Sequence, residues 1–344
     1  MEHVAIDLGG RESQVCVRAA DGTIVEEKRC RTRDLGVYLA TRPKSRVIVE
    51  TCAESFCVVD HATRLGHETR VVAATLVRTL GVGERGMKSD KRDARKLSEV
   101  SCRIDLPSVH VASTESRERK TMCGMREALV QSRTKLINTV RGWMRGGILS
   151  IRSGSAESLP ARVRQAVGEA IPSYVARQLD MIEALTEQIA AANKQLRTLA
   201  KSDSTCPRLM SVPGVGPITA LRYVAALDSI ERFPSAHHAE AYLGLTPGEA
   251  SSSERQRRTG ITKAGSPAAR WVLVQAAWAA RRAKGDHPIV RWSLEVEKRR
   301  GKRVAILALA RKIAGIMFAI WRDGTVYERL HAKPIMVMPT ASNT

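Results

Sequence analysis

Over the first seventy residues apolar and polar positions alternate with the two-residue period of β-strands. The runs His3-Val4-Ala5-Ile6, Gln14-Val15-Cys16-Val17, Thr23-Ile24-Val25 and Arg46-Val47-Ile48-Val49 predict four strands, and residues 69–73 a fifth. Helical stretches at 34–42 and 55–65 separate the later strands, while Gly9-Gly10 and Asp21-Gly22 supply short turns between the first three. Beyond a Gly-rich stretch at 81–86 the period lengthens to that of helices. Ser89 has N-cap chemistry for a helix running through Lys96 and Leu97. Residues 114–145 place Met122, Leu129, Leu136, Val140 and Trp143 at helical spacing. Between Pro172 and Lys201 the positions Ile182, Leu185, Ile189, Ala192, Leu196 and Leu199 step by alternating threes and fours, a short coiled-coil seam. It serves either a hairpin packed within one chain or an arm that pairs two copies. From Arg208 onward the pattern is all-helical: Ser266-Pro267 reads as an N-cap and first-turn proline for a helix through Arg282, and residues 304–321 form another helix.

Three strands joined by turns, then helix and strand in alternation, describe an α/β sheet of the ribonuclease-H-like kind. A doubly wound nucleotide-binding fold would place a helix after its first strand. The expected organisation is α/β plus all-α: an α/β domain at residues 1–108, a helical coiled-coil region at 109–205, a helical domain at 206–325 and a disordered tail at 326–344.

Charge changes the picture from fold to partner. The 344 residues carry 56 Lys and Arg against 35 Asp and Glu, a net +21, which suits a polyanion far better than a small molecule. The excess is graded: 19 basic and 16 acidic side chains over residues 1–110, 14 and 8 over 111–200, and 23 and 11 from 201 on. Affinity for nucleic acid is therefore concentrated late in the chain, in tracts such as Arg281-Arg282 and Lys298-Arg299-Arg300. At 4% aromatic residues, stacking platforms for bases are scarce. The seven cysteines include no C-x-x-C pair and no histidines at zinc-finger spacing, so neither a disulfide framework nor a structural zinc site is expected. No basic segment leading into an apolar run opens the chain, and no uninterrupted apolar stretch approaches the roughly 20 residues of a membrane span. The expected location is the bacterial cytoplasm, at the nucleoid.

A nearly neutral first domain inside so basic a chain is where carboxylates could hold metal. Cleavage of a phosphodiester by two divalent ions requires several carboxylates converging on one phosphate. Asp7 closes the first strand and Glu50 the fourth, with Glu54 as a competitor; Asp90 and Asp93, three residues apart, share a helix face. Taken singly, each has a plainer role as a turn residue, a rim charge or a favourable charge at a helix N-terminus.

In the second half, Val212-Pro213-Gly214-Val215-Gly216-Pro217 lies between two apolar helical segments and reads as a helix-hairpin-helix, in which Gly214 and Gly216 let backbone N–H groups approach a phosphate. The plainer reading is a tight turn between packed helices. Farther on, Ser251-Ser252-Ser253 follows Tyr242-Leu243-Gly244-Leu245-Thr246-Pro247 and precedes Arg255, Arg257, Arg258 and Lys263. Three serines beside a basic cluster form either a solvated loop or a nucleophile with cations that stabilise the developing anion.

The residues Asp7, Glu50 and Lys88-x-Asp90-x-x-Asp93-Ala94 resemble the Asp-Glu-Asp-Asp set of insertion-sequence transposases with a RuvC-like N-terminal domain, the group guided by a bridge RNA. The likeness runs from about Val4 to Arg322 and extends to the segment from Leu243 to Gly265, which is similar to that family's serine motif. It implies that Asp7, Glu50, Asp90 and Asp93 hold Mg²⁺. It further implies that Ser251 is the nucleophile with Ser252 second, that the substrates are donor and target DNA, that a non-coding RNA guides them, and that the protein acts as a tetramer built from dimers. Ser253 stands where that family usually has glycine, which leaves the serine register open by one residue among Ser251, Ser252 and Ser253. Two rival functions are a junction-resolving nuclease that uses the acids alone and a DNA-binding protein without catalysis.

Overall fold

The computed structural model describes residues 1–79, 90–249, 258–283 and 285–327, which form two compact units, one ending at Ala112 and the other beginning at Ser113. The first unit is a five-stranded sheet of β1 (His3–Asp7), β2 (Glu12–Arg18), β3 (Ile24–Arg31), β4 (Arg46–Glu50) and β5 (Glu68–Val72), in the order β3-β2-β1-β4-β5. β1 to β3 are antiparallel neighbours joined by turns, whereas β4 and β5 run parallel to β1. The parallel pairs require crossovers, and α1 (Leu35–Ala40) and α2 (Ser55–Arg64) supply them. This is the mixed sheet that the strand and turn pattern predicts.

Alternation along each strand feeds two cores. Val4, Ile6, Val15, Val17, Val47, Val49 and Val71 pack on Leu35 and Leu39 of α1 and Val58, Val59 and Ala62 of α2. Ala5, Ile48 and Val72 face the other way, onto Val77 of α3 (Ala74–Thr79) and Leu97 of α4 (Asp90–Arg103). Covering both faces explains why the central strands read as continuous apolar runs. The residue expected to cap α4, Ser89, lies outside the described residues.

In the second unit α5 (Thr114–Gly146) and α7 (Ser173–Ser202) pair along their length, with α6 (Leu159–Val167) between them in sequence. The seam faces α5 of the same chain: Ile182 shares a core with Ile137 and Val140, and Leu196 with Cys123. Arg119 and Asp203 pair beside the hairpin's open end. Burial alone would raise the Asp203 carboxyl, but the Thr205 and Cys206 N–H groups and Arg119 hold it below its ordinary value.

A second core joins α8 (Cys206–Leu209), α9 (Pro217–Leu227), α10 (Ala236–Tyr242), α11 (Pro267–Arg282), α12 (Pro288–Arg300) and α13 (Lys302–Asp323). α11 starts as its sequence predicts, with Pro267 in the first turn and the Ser266 hydroxyl accepting from the Ala269 N–H at 3.3 Å. One expectation needs correction. The region after Arg208 is not all helix: β6 (Pro247–Glu249) and β7 (Arg258–Ile261) pair antiparallel, strands too short to show a period and opened by a proline that an edge strand tolerates. α13, at 22 residues, is long and apolar enough by composition to cross a membrane, although Arg311 and Lys312 interrupt its apolar run. Half of it is buried against the other helices, with Leu309, Ile313, Met317 and Phe318 in the core and the buried Tyr223 hydroxyl donating to the Ala314 carbonyl at 2.8 Å. That is the position of a core helix. Of the expected tail, residues 328–344 lie outside the described ones.

Candidate active site

The pairing of β1 with β4 sets the level of the first two carboxylates. Ile6 lies opposite Val49 in parallel register, so Asp7 and Glu50 are the next residues of both strands, roughly 5 Å apart at the backbone. Their parity matches Ala5 and Ile48, so both side chains emerge on the face that α4 covers.

α4 brings a third. Ser101 hydrogen-bonds His3 Nδ1 at 2.8 Å at the start of β1, and Ser98 accepts from Arg18 Nε at 3.0 Å and meets the Cys16 thiol at 3.2 Å. Cys16 is the partner of Ala5, so α4 runs antiparallel to β1. The eight residues from Ser101 back to Asp93 span about 12 Å of helix. The four from His3 to Asp7 span about 13 Å of strand. Asp93 therefore arrives at the level of Asp7, and it is buried on the helix face that also carries Ala94 and Leu97. An outer tie holds the helix down: Arg95 pairs with Glu27 of β3, and Lys91 stands 3.3 Å from the same carboxylate. The Arg95 hydrogen bonds bring the Glu27 carboxyl down to about 2.

Asp90 begins α4, and its side chain lies outside the described residues. Among the described residues, Asp7, Glu50 and Asp93 included, no group of three or more His, Cys, Asp or Glu side chains is spaced to hold a metal ion, so the three share a level at one sheet end without closing on a common ion site. The donors at this sheet end are carboxylate oxygens, a hard set that suits Mg²⁺ better than a soft or borderline cation. Glu54, the competitor of Glu50, precedes α2 and turns toward the first turn of the chain, its Oε1 3.8 Å from where a Gly10 side chain would begin.

The serines fall where the structure is silent. Ser251, Ser252, Ser253, Arg255 and Arg257 lie outside the described residues, and Arg258 opens β7 with its side chain likewise outside. What is described is the base from which that segment springs. Glu249 is register partner of Arg258 and Pro247 of Ile261, so the chain leaves and returns at neighbouring points. Below the pair, the Thr262 N–H donates to the Thr246 carbonyl at 2.9 Å and the Lys263 N–H to Gly244 at 3.2 Å. Lys263 is exposed and holds a left-handed backbone, φ 59°. Arg270 of α11 donates to the carbonyls of Leu243, Ala264 and Gly265. Sequence reasoning missed Arg270; its only local signal is a cation one turn inside an otherwise apolar helix.

The two glycines of the turn before α9 separate. Gly214 (φ 83°) lies against α11, where a side chain would overlap the Ala276 carbonyl oxygen and come within 2.5 Å of the Ala280 nitrogen. Gly216 precedes α9 in an extended conformation with open space beside it. Gly214 thus meets the plainer reading's demand for close helix packing, and both Gly214 and Gly216 border a hollow shared with Ser211, His287 and Tyr327.

Comparison with known proteins finds matches in both halves of the chain. A family model described as "Transposase IS116/IS110/IS902 family" matches residues 206–290, and a second, of the DEDD type and described as "Transposase", matches residues 4–147. The chain is 30% identical over 314 residues to a "Probable family 20 transposase" of Pseudomonas aeruginosa, covering 87% of this chain and 90% of that protein. It is 27% identical over 336 residues to the "Transposase for insertion sequence element IS1328" of Yersinia enterocolitica, covering 95% and 98%. A transposase for the element IS1111A of Coxiella burnetii is 27% identical over 92% of this chain and 88% of its own length.

Proposed function

This chain belongs to the IS116/IS110/IS902 family of transposases, enzymes that cut and rejoin DNA, and we propose that it does so with a carboxylate metal site in its first unit and a serine nucleophile in its second. The observation that carries the metal half is the shared level of Asp7 and Glu50 on adjacent parallel strands, on the face α4 covers, with Asp93 buried on that helix. Asp7, Glu50, Asp90 and Asp93 are the residues that would hold Mg²⁺. When bound, the ion supplies Lewis-acid polarisation of the scissile phosphate.

The serine half rests on the paired base of β6 and β7, which presents residues 250–257 between two fixed ends. Ser251 Oγ attacks phosphorus, the P–O ester bond to the leaving strand breaks, and the proton lost from the serine ends on the departing oxygen, leaving a free strand hydroxyl and a phosphodiester between serine and DNA. A hydroxyl from another strand reverses the step and completes the exchange. Arg255, Arg257, Arg258 and Lys263 neutralise the phosphate charge during both steps. Gly216 offers backbone N–H groups to a flanking phosphate. A guide RNA and assembly of several copies belong to the same reading. The scarcity of aromatic residues favours recognition through nucleic-acid backbones and a paired strand.

The test is an adduct trap on a suicide DNA substrate with Mg²⁺, followed by mapping of the modified peptide. Ser251→Ala is expected to abolish both adduct and recombination while nucleic-acid binding survives, since no charge is lost; Ser252→Ala retains both. Asp7→Asn and Asp93→Asn are expected to remove cleavage. Full recombination by Ser251→Ala with loss of cleavage only in the aspartate variants would replace the serine mechanism with that of a resolvase acting through the acids alone.

A further inference from the structure

The turn after Asp7 opens onto a hollow that the reading above leaves unused. Gly10, Arg11, Glu12, Arg31 and Arg33 line a concavity of about 570 Å³ at the edge of the five-stranded sheet. β1 and β3 are each antiparallel to β2 and so run in one direction, which brings the end of β3 to the same sheet edge as Asp7. Thr32 fixes the arrangement: its N–H donates to the Arg11 carbonyl at 2.9 Å and its hydroxyl to the Gly9 carbonyl at 2.6 Å. Gly9 has no room for a side chain, which would overlap the Glu12 carbonyl oxygen.

The charges in this hollow are not balanced from within. The register sets Glu12 opposite Arg31, yet the Glu12 carboxylate is engaged by Arg29 at 2.5 Å. Arg33 reaches only its neighbour Asp34, at 3.6 Å. Among the described residues Arg11 and Arg31 have no carboxylate partner, and all three arginines are exposed. Three like charges around one concave surface raise a focused positive potential. A guanidinium fork matches the oxygens of a phosphate.

We propose that this hollow grips the sugar-phosphate backbone of the DNA strand being cut, away from the cleaved bond. β1 and β3 are two strand spacings apart, roughly 10 Å. A strand rising about 3.4 Å per nucleotide would meet the arginines about three nucleotides from a phosphate held at Asp7. The assignment of the cleaved strand rests on the carboxylate reading; the phosphate site itself does not.

The experiment measures binding of the full chain to a labelled 30-base-pair DNA duplex, and to an RNA duplex of the same sequence, across salt concentrations. The triple variant Arg11→Gln, Arg31→Gln, Arg33→Gln is compared with Arg177→Gln, Arg197→Gln, Lys201→Gln, which removes the same charge from exposed positions of α7. Loss of three phosphate contacts makes the log-affinity against log-salt slope shallower by about 2 to 3, and DNA affinity is expected to fall at least tenfold, well beyond the control. Equal effects in the two triples, or an effect on the RNA duplex alone, would overturn the proposal. Asp7→Asn is run alongside. If it cleaves as the wild type does, the carboxylate reading falls while the binding slopes still decide whether the hollow takes phosphate.

Discussion

Replacing Gly214 by alanine separates two roles for the turn before α9, helix packing and phosphate contact. The residue sits at φ 83°, where an alanine costs about 1–2 kcal/mol. Its Cβ would also drive into the backbone of α11 at Ala276 and Ala280, and neither partner can swing away as a side chain tip could. Overpacking of that kind costs a further 1–3 kcal/mol or so. Together the change should remove about 3–4 kcal/mol from the second unit, and at about 2–4 °C per kcal/mol for a body of this size its melting temperature should fall by roughly 10 °C. Gly216→Ala is the internal comparison. Its φ of −103° suits any residue and nothing stands within 4 Å, so it should melt within about 2 °C of the wild type. Calorimetry that follows the second unit's transition measures both, with DNA affinity recorded on the folded proteins. Wild-type melting in Gly214→Ala would refute the packing argument. Unchanged melting combined with a tenfold loss of DNA affinity would return Gly214 to the phosphate.

Two further outcomes follow from the ties described above. Glu27 has its carboxyl lowered from an ordinary 4.5 to about 2 by Arg95, so the tie adds stability that is present above pH 4.5 and is lost as pH falls toward 2; urea titrations of wild type and Arg95→Gln should differ at pH 7 and converge near pH 2, and a constant gap would refute the linkage. Arg270→Gln frees three carbonyls at the base of β6 and β7, at about 1.5–3 kcal/mol for charged hydrogen bonds, and should speed proteolysis between Thr246 and Lys263 several-fold; unchanged cutting would show that strand pairing alone holds the base.

The central strands of the first unit were legible because both their faces are buried and the first turns are rich in glycine, so local pattern and tertiary role coincide at Val4, Ile48 and Val71. Asp7 and Glu50 could be picked out as the first polar residues after such runs. The sequence could not reveal that α4 runs antiparallel to β1, because the contact that sets it, His3 to Ser101, joins residues 98 positions apart. The short pair β6 and β7 escaped for a different reason: three or four residues hold no measurable period, and Pro247 argues locally against a strand. Gly214 carries two readings in the sequence, because a glycine that admits a neighbouring helix and one that admits a ligand look alike there; the structure adds the neighbour, α11, that its missing side chain admits. α13 was legible as a helix, and its apolar run, broken by Arg311 and Lys312, supplies one buried face to the core.

The equal level of Asp7 and Glu50 limits how this chain can drift over evolutionary time. An apolar residue of similar size can replace Val4 or Val47 without changing the register of the pair. Length is another matter. One residue inserted or deleted within β1 or β4 would turn its terminal carboxylate to the opposite face of the sheet, among Leu35, Leu39 and Val59, while leaving the strand as hydrophobic as before. With Asp7 and Glu50 in the proposed metal-binding role, single-codon insertions in these two strands should therefore abolish transposition even where apolar substitutions of similar size at the neighbouring buried positions are tolerated.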